Sequence, residues 1–434
     1  MRLSIEHQAT RVCESSEYLF GREAFAKSLS NIFSNSESGF VLAIDATWGA
    51  GKTAFIHQLI HDLKATEKII PIYYDAFSND FSNDTFLSIG ATIFHEVEGY
   101  FESTGKSVKV KKQLEHLKDL TKKTAGELIK LSSNLALKSL TAGMIDNSEL
   151  EKIAIKTFNS ATFGTLELEL NEKFKAYENA KSNIQSYVDA LESVSQNGEK
   201  VIFFIDELDR CRPDFAVEVL EKVKHLFAAK NVIFVISYNK SQLSKIISHV
   251  YGVENKDALK YLEKFIHIEA NLPVVDEKSS TSSYEQLFDS FVREFNIELP
   301  NQQQRITSLK NMFTLLCQPK HLNMNSREIE RAFSYVSFCF AALPKEKGSS
   351  LFEFFLPAAM MKVKNSEIFN QVSEGRFFST SANYKWLHDF FKEHYKSSLT
   401  PQASNVFYVK QFEEACGIVS MFKMPTDDII EDKI

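Results

Sequence analysis

Two short stretches carry residues whose types and spacing could do chemistry. ATWGAGKTAF runs from Ala46 to Phe55. It fits the phosphate-gripping pattern G-x-x-x-x-G-K-[ST] except at its first position, which is alanine. In such a loop the backbone N–H groups wrap an anion at a helix N-terminus. Trp48, Gly49, Ala50, Gly51 and Ala54 are the candidate cradle, and the two glycines permit positive φ and close approach. Lys52 reaches the β and γ phosphates, and Thr53 offers its hydroxyl to Mg²⁺. Ala46 sits where a strand turns into the loop, and the smallest side chain with a Cβ is tolerated there if φ is negative.

VIFFIDELDR, residues 201–210, supplies the second half. Nucleotide hydrolysis needs one carboxylate for the metal shell and another to polarise the attacking water. Asp206 is the candidate metal-side acid and Glu207 the candidate general base. A strand end capped by solvated acids is the competing account. The phosphate loop earlier in the chain favours the catalytic one.

These residues need rigid elements behind them. Phe40–Asp45, Ile69–Tyr74, Lys200–Asp206 and Asn231–Ser237 read as buried strands. Helical periodicity runs through 16–34, Thr53–Leu63, Phe86–Tyr100 and Asp214–Ala228. Strands alternating with helices predict a three-layer α/β core with a mainly parallel sheet. Residues 104–198 read as a lysine-rich helical insertion between the two motifs, so deleting Lys106–Lys123 is expected to spare the nucleotide chemistry. Beyond Pro273 the pattern is helical. EKSSTSS at 277–283 and LPKEKGSS at 343–350 read as linkers. The divisions are therefore 1–103, 104–198, 199–276, 277–340 and 341–434.

The chain has 434 residues, a net charge of −7 and 37 phenylalanines, which fits a soluble protein of several domains with an aromatic interior. That charge argues against wholesale coating of nucleic acid, although the lysine run at 106–123 could meet phosphates or an acidic partner. The cysteines, Cys13, Cys211, Cys317, Cys339 and Cys416, lack metal spacing and read as reduced, buried thiols. No signal peptide or membrane span is legible, so a cytoplasmic location without integral membrane association is expected.

At the level of motifs the sequence resembles the KAP family of P-loop NTPases. The similarity rests on WGAGKT at 48–53, FFIDELDRCRPDFAVEVLEKVKHLF at 203–227 and YLEKFIHIEANLP at 261–273. NSREIERAF at 325–333 and LFGREAFAKSL at 19–29 add to it. The resemblance covers roughly 17–340 and implies an ASCE-type P-loop core, ATP with Mg²⁺, hydrolysis and a helical lid. This chain departs from the family at Ala46, and at Glu207, where many members carry aspartate. It also lacks the membrane spans that many relatives insert between the motifs.

Further candidates follow from charge and position. Arg210 and Arg212 lie at a helix N-terminus, where cations are out of place. Arg210 is expected to reach the nucleotide of a neighbouring subunit, with Arg212 second; an ion pair with Asp209 or Asp214 is the alternative. Asn239, after Ser237 and Tyr238, is a candidate γ-phosphate sensor. Arg327, one helical turn before Arg331, is a candidate phosphate contact from the lid, against ion pairs with Glu328 or Glu330. Gly21 and Arg22 are candidates for the adenine pocket. The function expected is an ATPase that switches an assembly, in the bacterial anti-phage setting that KAP-like proteins suggest, with self-association and a protein partner encoded in the same system. An ATP-binding scaffold with little turnover and an ATP-driven nucleic-acid machine are the alternatives.

Overall fold

The computed structural model describes residues 18–36, 38–82, 84–132, 163–195, 198–226, 229–273, 277–297, 303–343, 345–366, 369–370, 415–416 and 418–420. Expectations about Cys13, Lys138 and most of 371–434 lie outside them, as do the side chains of Lys109 and Lys130. The chain divides into two compact units. One comprises 24–47 and 52–272; the other comprises 1–23, 48–51 and 273–434.

The first unit is built on five strands: β1 Phe40–Asp45, β2 Ile69–Asp75, β3 Lys200–Asp206, β4 Val232–Tyr238 and β5 Ile268–Asn271. They pair in parallel in the order β2-β3-β4-β1-β5. The strand leading into the phosphate loop, β1, is thus separated from the acid-bearing β3 by β4. This is the α/β core of a P-loop NTPase. Parallel strands need covering on both faces, which is why β3 and β4 read as unbroken apolar runs.

Eight helices accompany the sheet among the described residues: α1 Glu23–Asn35, α2 Lys52–Lys64, α3 Thr85–Ser103, α4 Ser107–Ser132, α5 Phe163–Val194, α6 Pro213–Lys224, α7 Lys240–Tyr251 and α8 Asn255–Leu262. Side chains alternate across a strand. Ile72, Phe203, Ile205, Phe234 and Ile236 therefore share one face, where they join a core with residues of α3 to α8. The opposite face meets α1 and α2. The Phe33 ring lies 6.3 Å from Phe204, and the His57 ring 4.3 Å from Tyr73. Three layers result.

The lysine-rich segment is no appendage. On α4, Val110, Leu114, Leu117 and Leu120 are buried in the same core as the sheet. Lys111, Lys112 and Lys122 stay exposed. Burying each such apolar side chain contributes about 1.5–3 kcal/mol. Deleting Lys106–Lys123 would remove several at once, against a whole-domain stability of about 5–15 kcal/mol. The expectation that this deletion spares the chemistry is overturned; only the exposed lysines are separable from the fold.

The second unit is helical: a short 3-10 turn at Leu19–Gly21, then α9 Glu277–Glu294, α10 Gln303–Cys317, α11 Ser326–Ala342 and α12 Lys345–Lys364. Phe288 stands at its centre, ringed by Phe313, Phe333 and Phe352 at 5.4, 5.9 and 6.3 Å. Residues 277–283 and 345–350 of the two expected linkers are helix. EKSSTSS opens α9 because Tyr284, Leu287, Phe288 and Phe291 form an apolar stripe just beyond it. LPKEKGSS runs into α12, where Phe352, Phe355, Leu356 and Ala359 repeat that spacing. Packing of a stripe outweighs the weak helix propensity of serine and glycine. Among the described residues no helix is long and apolar enough to cross a membrane. Cys211, Cys317, Cys339 and Cys416 are buried, and none is in a disulfide among the described residues.

Candidate active site

The loop joins β1 to α2 with Gly49 at φ +77° and Gly51 at φ +81°. Ala46 is not among the residues with positive φ, so a Cβ costs nothing there. What the loop uses at this position is the carbonyl, which accepts from Lys52 Nζ at 2.6 Å, with Thr47 O at 3.3 Å. The buried ammonium has its proton affinity lowered by burial, opposed first by Asp209 and then by Asp206.

Asp206 ends β3 and is buried. It accepts from the Glu207 amide at 2.9 Å and from the Tyr73 hydroxyl at 3.4 Å. Burial pushes its pKa up; the Ser237 and Thr53 hydroxyls, the Glu207 amide and Lys52 pull the other way. Glu207 follows with φ 60°, a left-handed conformation unusual for a residue with a Cβ. Its Oε1 accepts from the Thr53 hydroxyl at 3.3 Å, and its Oε2 pairs with Arg210 Nη1. Thr53, Asp206 and Glu207 are therefore brought together.

The arginines are placed otherwise than by charge alone. Arg210 pairs with Glu207, rather than with Asp209 or Asp214, because the 3-10 turn Leu208–Arg210 folds it back over the base. Arg212 precedes α6, whose first residue is Pro213, a residue suited to that position. Its amide donates to Asp80 Oδ2 at 3.1 Å, and its guanidinium donates to the Asp80 carbonyl. Asn239 caps α7 by accepting from the Gln242 amide at 3.3 Å. The strand-end residue beside the acids is instead Ser237, buried and near Asp206. Tyr73 and Asp209 are functional candidates that sequence reasoning missed.

Within the second unit, residues 48–51 meet two motif segments. A Cβ on Gly49 would lie 2.5 Å from Asn325 Cγ and Oδ1, and one on Gly51 would lie 3.2 Å from Arg22 Nη1. Asn325 caps α11. It accepts from the Glu328 amide at 3.0 Å, while Glu328 Oε2 accepts from the Asn325 amide at 2.8 Å. Gly49→Ala is therefore expected to lower Tm by several degrees, combining backbone strain of about 1–2 kcal/mol with a disturbed cap of about 0.5–2 kcal/mol. Asn325→Gly in the same chain should recover part of that loss; thermal unfolding of both variants checks it.

Arg22 is buried and donates to Ala50 O at 2.8 Å and Pro273 O at 3.3 Å. Burial pulls its pKa down to about 10. Gly21 has φ 67°, next to Phe20, whose amide donates to Ser283 Oγ at 2.7 Å. Arg327 is exposed on the first turn of α11, and its charge acts on Glu330. Glu328 pairs instead with Lys364 at 3.0 Å.

Burial, and then Glu294, push the Glu330 carboxyl up to about 7. Its folded pKa thus exceeds the ordinary glutamate value of 4.5. The folded state holds the extra proton between those values, so stability falls as pH rises through that window. Glu330→Gln should remove this slope, giving a higher Tm than the parent at pH 8 and little difference at pH 4. The gain is a few kcal/mol at most.

The donor set fits a nucleotide with a divalent cation. Gly49 and Gly51 hold the positive φ in which successive backbone N–H groups can turn toward an anion. Thr53 and Asp206 present hard oxygen donors of the kind Mg²⁺ takes. A carboxylate that burial disfavours as an anion gains from a cation beside it. The family described as the KAP family P-loop domain matches residues 22–339. No curated protein matches the sequence. Among solved structures the chain is similar to C. elegans PCH-2 at 10% identity and a TM-score of 0.32, over 78% of this chain and 67% of that one. That likeness is too distant to inform the chemistry.

Proposed function

This chain belongs to the KAP family of P-loop domains, and on that premise we propose that it is a Mg²⁺-dependent ATPase that switches an assembly. The observation that carries this reading is the cluster of Lys52, Thr53, Asp206 and Glu207 in one unit, with the Thr53 hydroxyl 3.3 Å from Glu207. Thr53 and Asp206 would hold the ion, which when bound would neutralise charge on the phosphates. Lys52 holds the β and γ phosphates, and Glu207 takes the proton of the attacking water. The setting we favour is bacterial anti-phage defence in the cytoplasm, with self-association and a protein partner from the same system.

The exposed Lys111, Lys112 and Lys122 of α4 favour a second reading, an ATP-driven nucleic-acid machine. Phosphate release from ATP with Mg²⁺, with and without DNA or RNA, separates the readings. Turnover that ignores nucleic acid supports the switch; strong stimulation supports the machine. Binding without turnover leaves a nucleotide-dependent scaffold.

A further inference from the structure

The base proposed above has both carboxylate oxygens engaged. Oε1 accepts from Thr53, and Oε2 is paired with Arg210. Glu207 is 7% exposed, and the Arg210 side chain 24%. The pair is built into one turn, since the Arg210 amide donates to the Glu207 carbonyl at 3.1 Å. The chain enters that turn with Glu207 in the left-handed region, a conformation that persists only when its surroundings hold it. The next arginine, Arg212, is committed to Asp80 and is not a substitute.

We propose that Arg210 is a positioning residue that parks Glu207, holding the carboxylate with one oxygen against a cation and the other under a hydroxyl, so that a water must compete for it and finds a weakened base. A general base must come within hydrogen-bond reach of the proton it removes. Here the guanidinium beside Oε2 stabilises the charged carboxylate and so lowers its basicity, while the Thr53 hydroxyl already donates to Oε1. Hydrolysis then requires the pair to open, and the pair sets the basal rate. The inference rests on the hydrolase reading, in which Glu207 is the base. It reverses the sign expected of an arginine that stabilises the transition state.

Arg210→Ala tests that sign. Its kcat for ATP should rise several-fold with KM little changed, and Arg210→Lys, which keeps a cation, should fall back toward the parent. The same rise must vanish in Arg210→Ala/Glu207→Gln. A second readout needs no turnover. In nucleotide-free protein, Arg210→Ala and Glu207→Gln should each lower Tm, and the double variant should lie no lower than the worse single one, as two partners in one interaction do. Additive losses overturn the pair. A fall in kcat of about three orders or more overturns the parked base and restores Arg210 as a transition-state arginine. Turnover absent from parent and Arg210→Ala alike overturns the hydrolase reading together with the parked base. Turnover in the parent that Arg210→Ala leaves unchanged overturns the parked base alone.

Discussion

Glu207→Gln is expected to keep nucleotide bound while turnover falls by roughly two to four orders of magnitude, the usual worth of a positioned base. Glutamine matches glutamate in shape but cannot take a proton. The Thr53 hydroxyl can still donate to its amide oxygen, so the 3.3 Å contact survives the change. What is lost is the charge opposite Arg210, in a place where the carboxylate is buried. Asp206→Asn should behave differently. Its oxygens face the Tyr73 and Thr53 hydroxyls and the Glu207 amide, the environment of a group held for a cation. Mg²⁺-dependent binding should weaken there, with the chemical step affected through it. Titration of a fluorescent ATP analogue at varied Mg²⁺, beside phosphate release, separates the two. Equal loss of binding in both variants would show that the two acids do not divide the work in this way.

The parts that the sequence made legible are those that local physics decides. β1 and β3 are apolar runs that only a covered sheet accommodates, and the loop between β1 and α2 needs glycine at Gly49 and Gly51. The acids were legible because Asp206 and Glu207 end such a run. Tyr73 was not, because its role depends on register. Tyr73 lies opposite Phe204, and only that pairing carries its hydroxyl within 3.4 Å of Asp206, two residues further along β3. The pairing of Arg210 with Glu207 was not legible for a similar reason. A residue three past the base points outward if the chain continues straight, but the left-handed turn at Glu207 brings it back. Asn325 and Glu328 carried a readable capping signal. That the cap lies against Gly49 is a tertiary fact absent from any short window. The two linker expectations failed where polar segments preceded apolar stripes, because helix formation is settled by the stripe.

Lys52→Ala is expected to abolish measurable hydrolysis and to weaken ATP binding by about ten- to a hundredfold, which is about 1.4–2.8 kcal/mol. The ammonium is buried and already costs the fold some desolvation, seen in its lowered proton affinity. Three carboxylates offset that cost: Asp209, Asp206 and Asp45 each favour the charged form. Alanine removes the cation and leaves those acids uncompensated, so the negative potential that remains repels a polyphosphate as well as failing to hold it. The carbonyls of Ala46 and Thr47 lose their donor at the same time. Arginine does not substitute at such a position, since its planar fork cannot reproduce a point charge on a flexible stem. The deficit should be larger for ATP than for AMP, because the lost contacts are to the β and γ phosphates. Nucleotide titrations with ATP, ADP and AMP, beside phosphate release at saturating Mg²⁺, give the comparison. Undiminished turnover in this variant would remove the phosphate loop from the mechanism and the hydrolase reading with it.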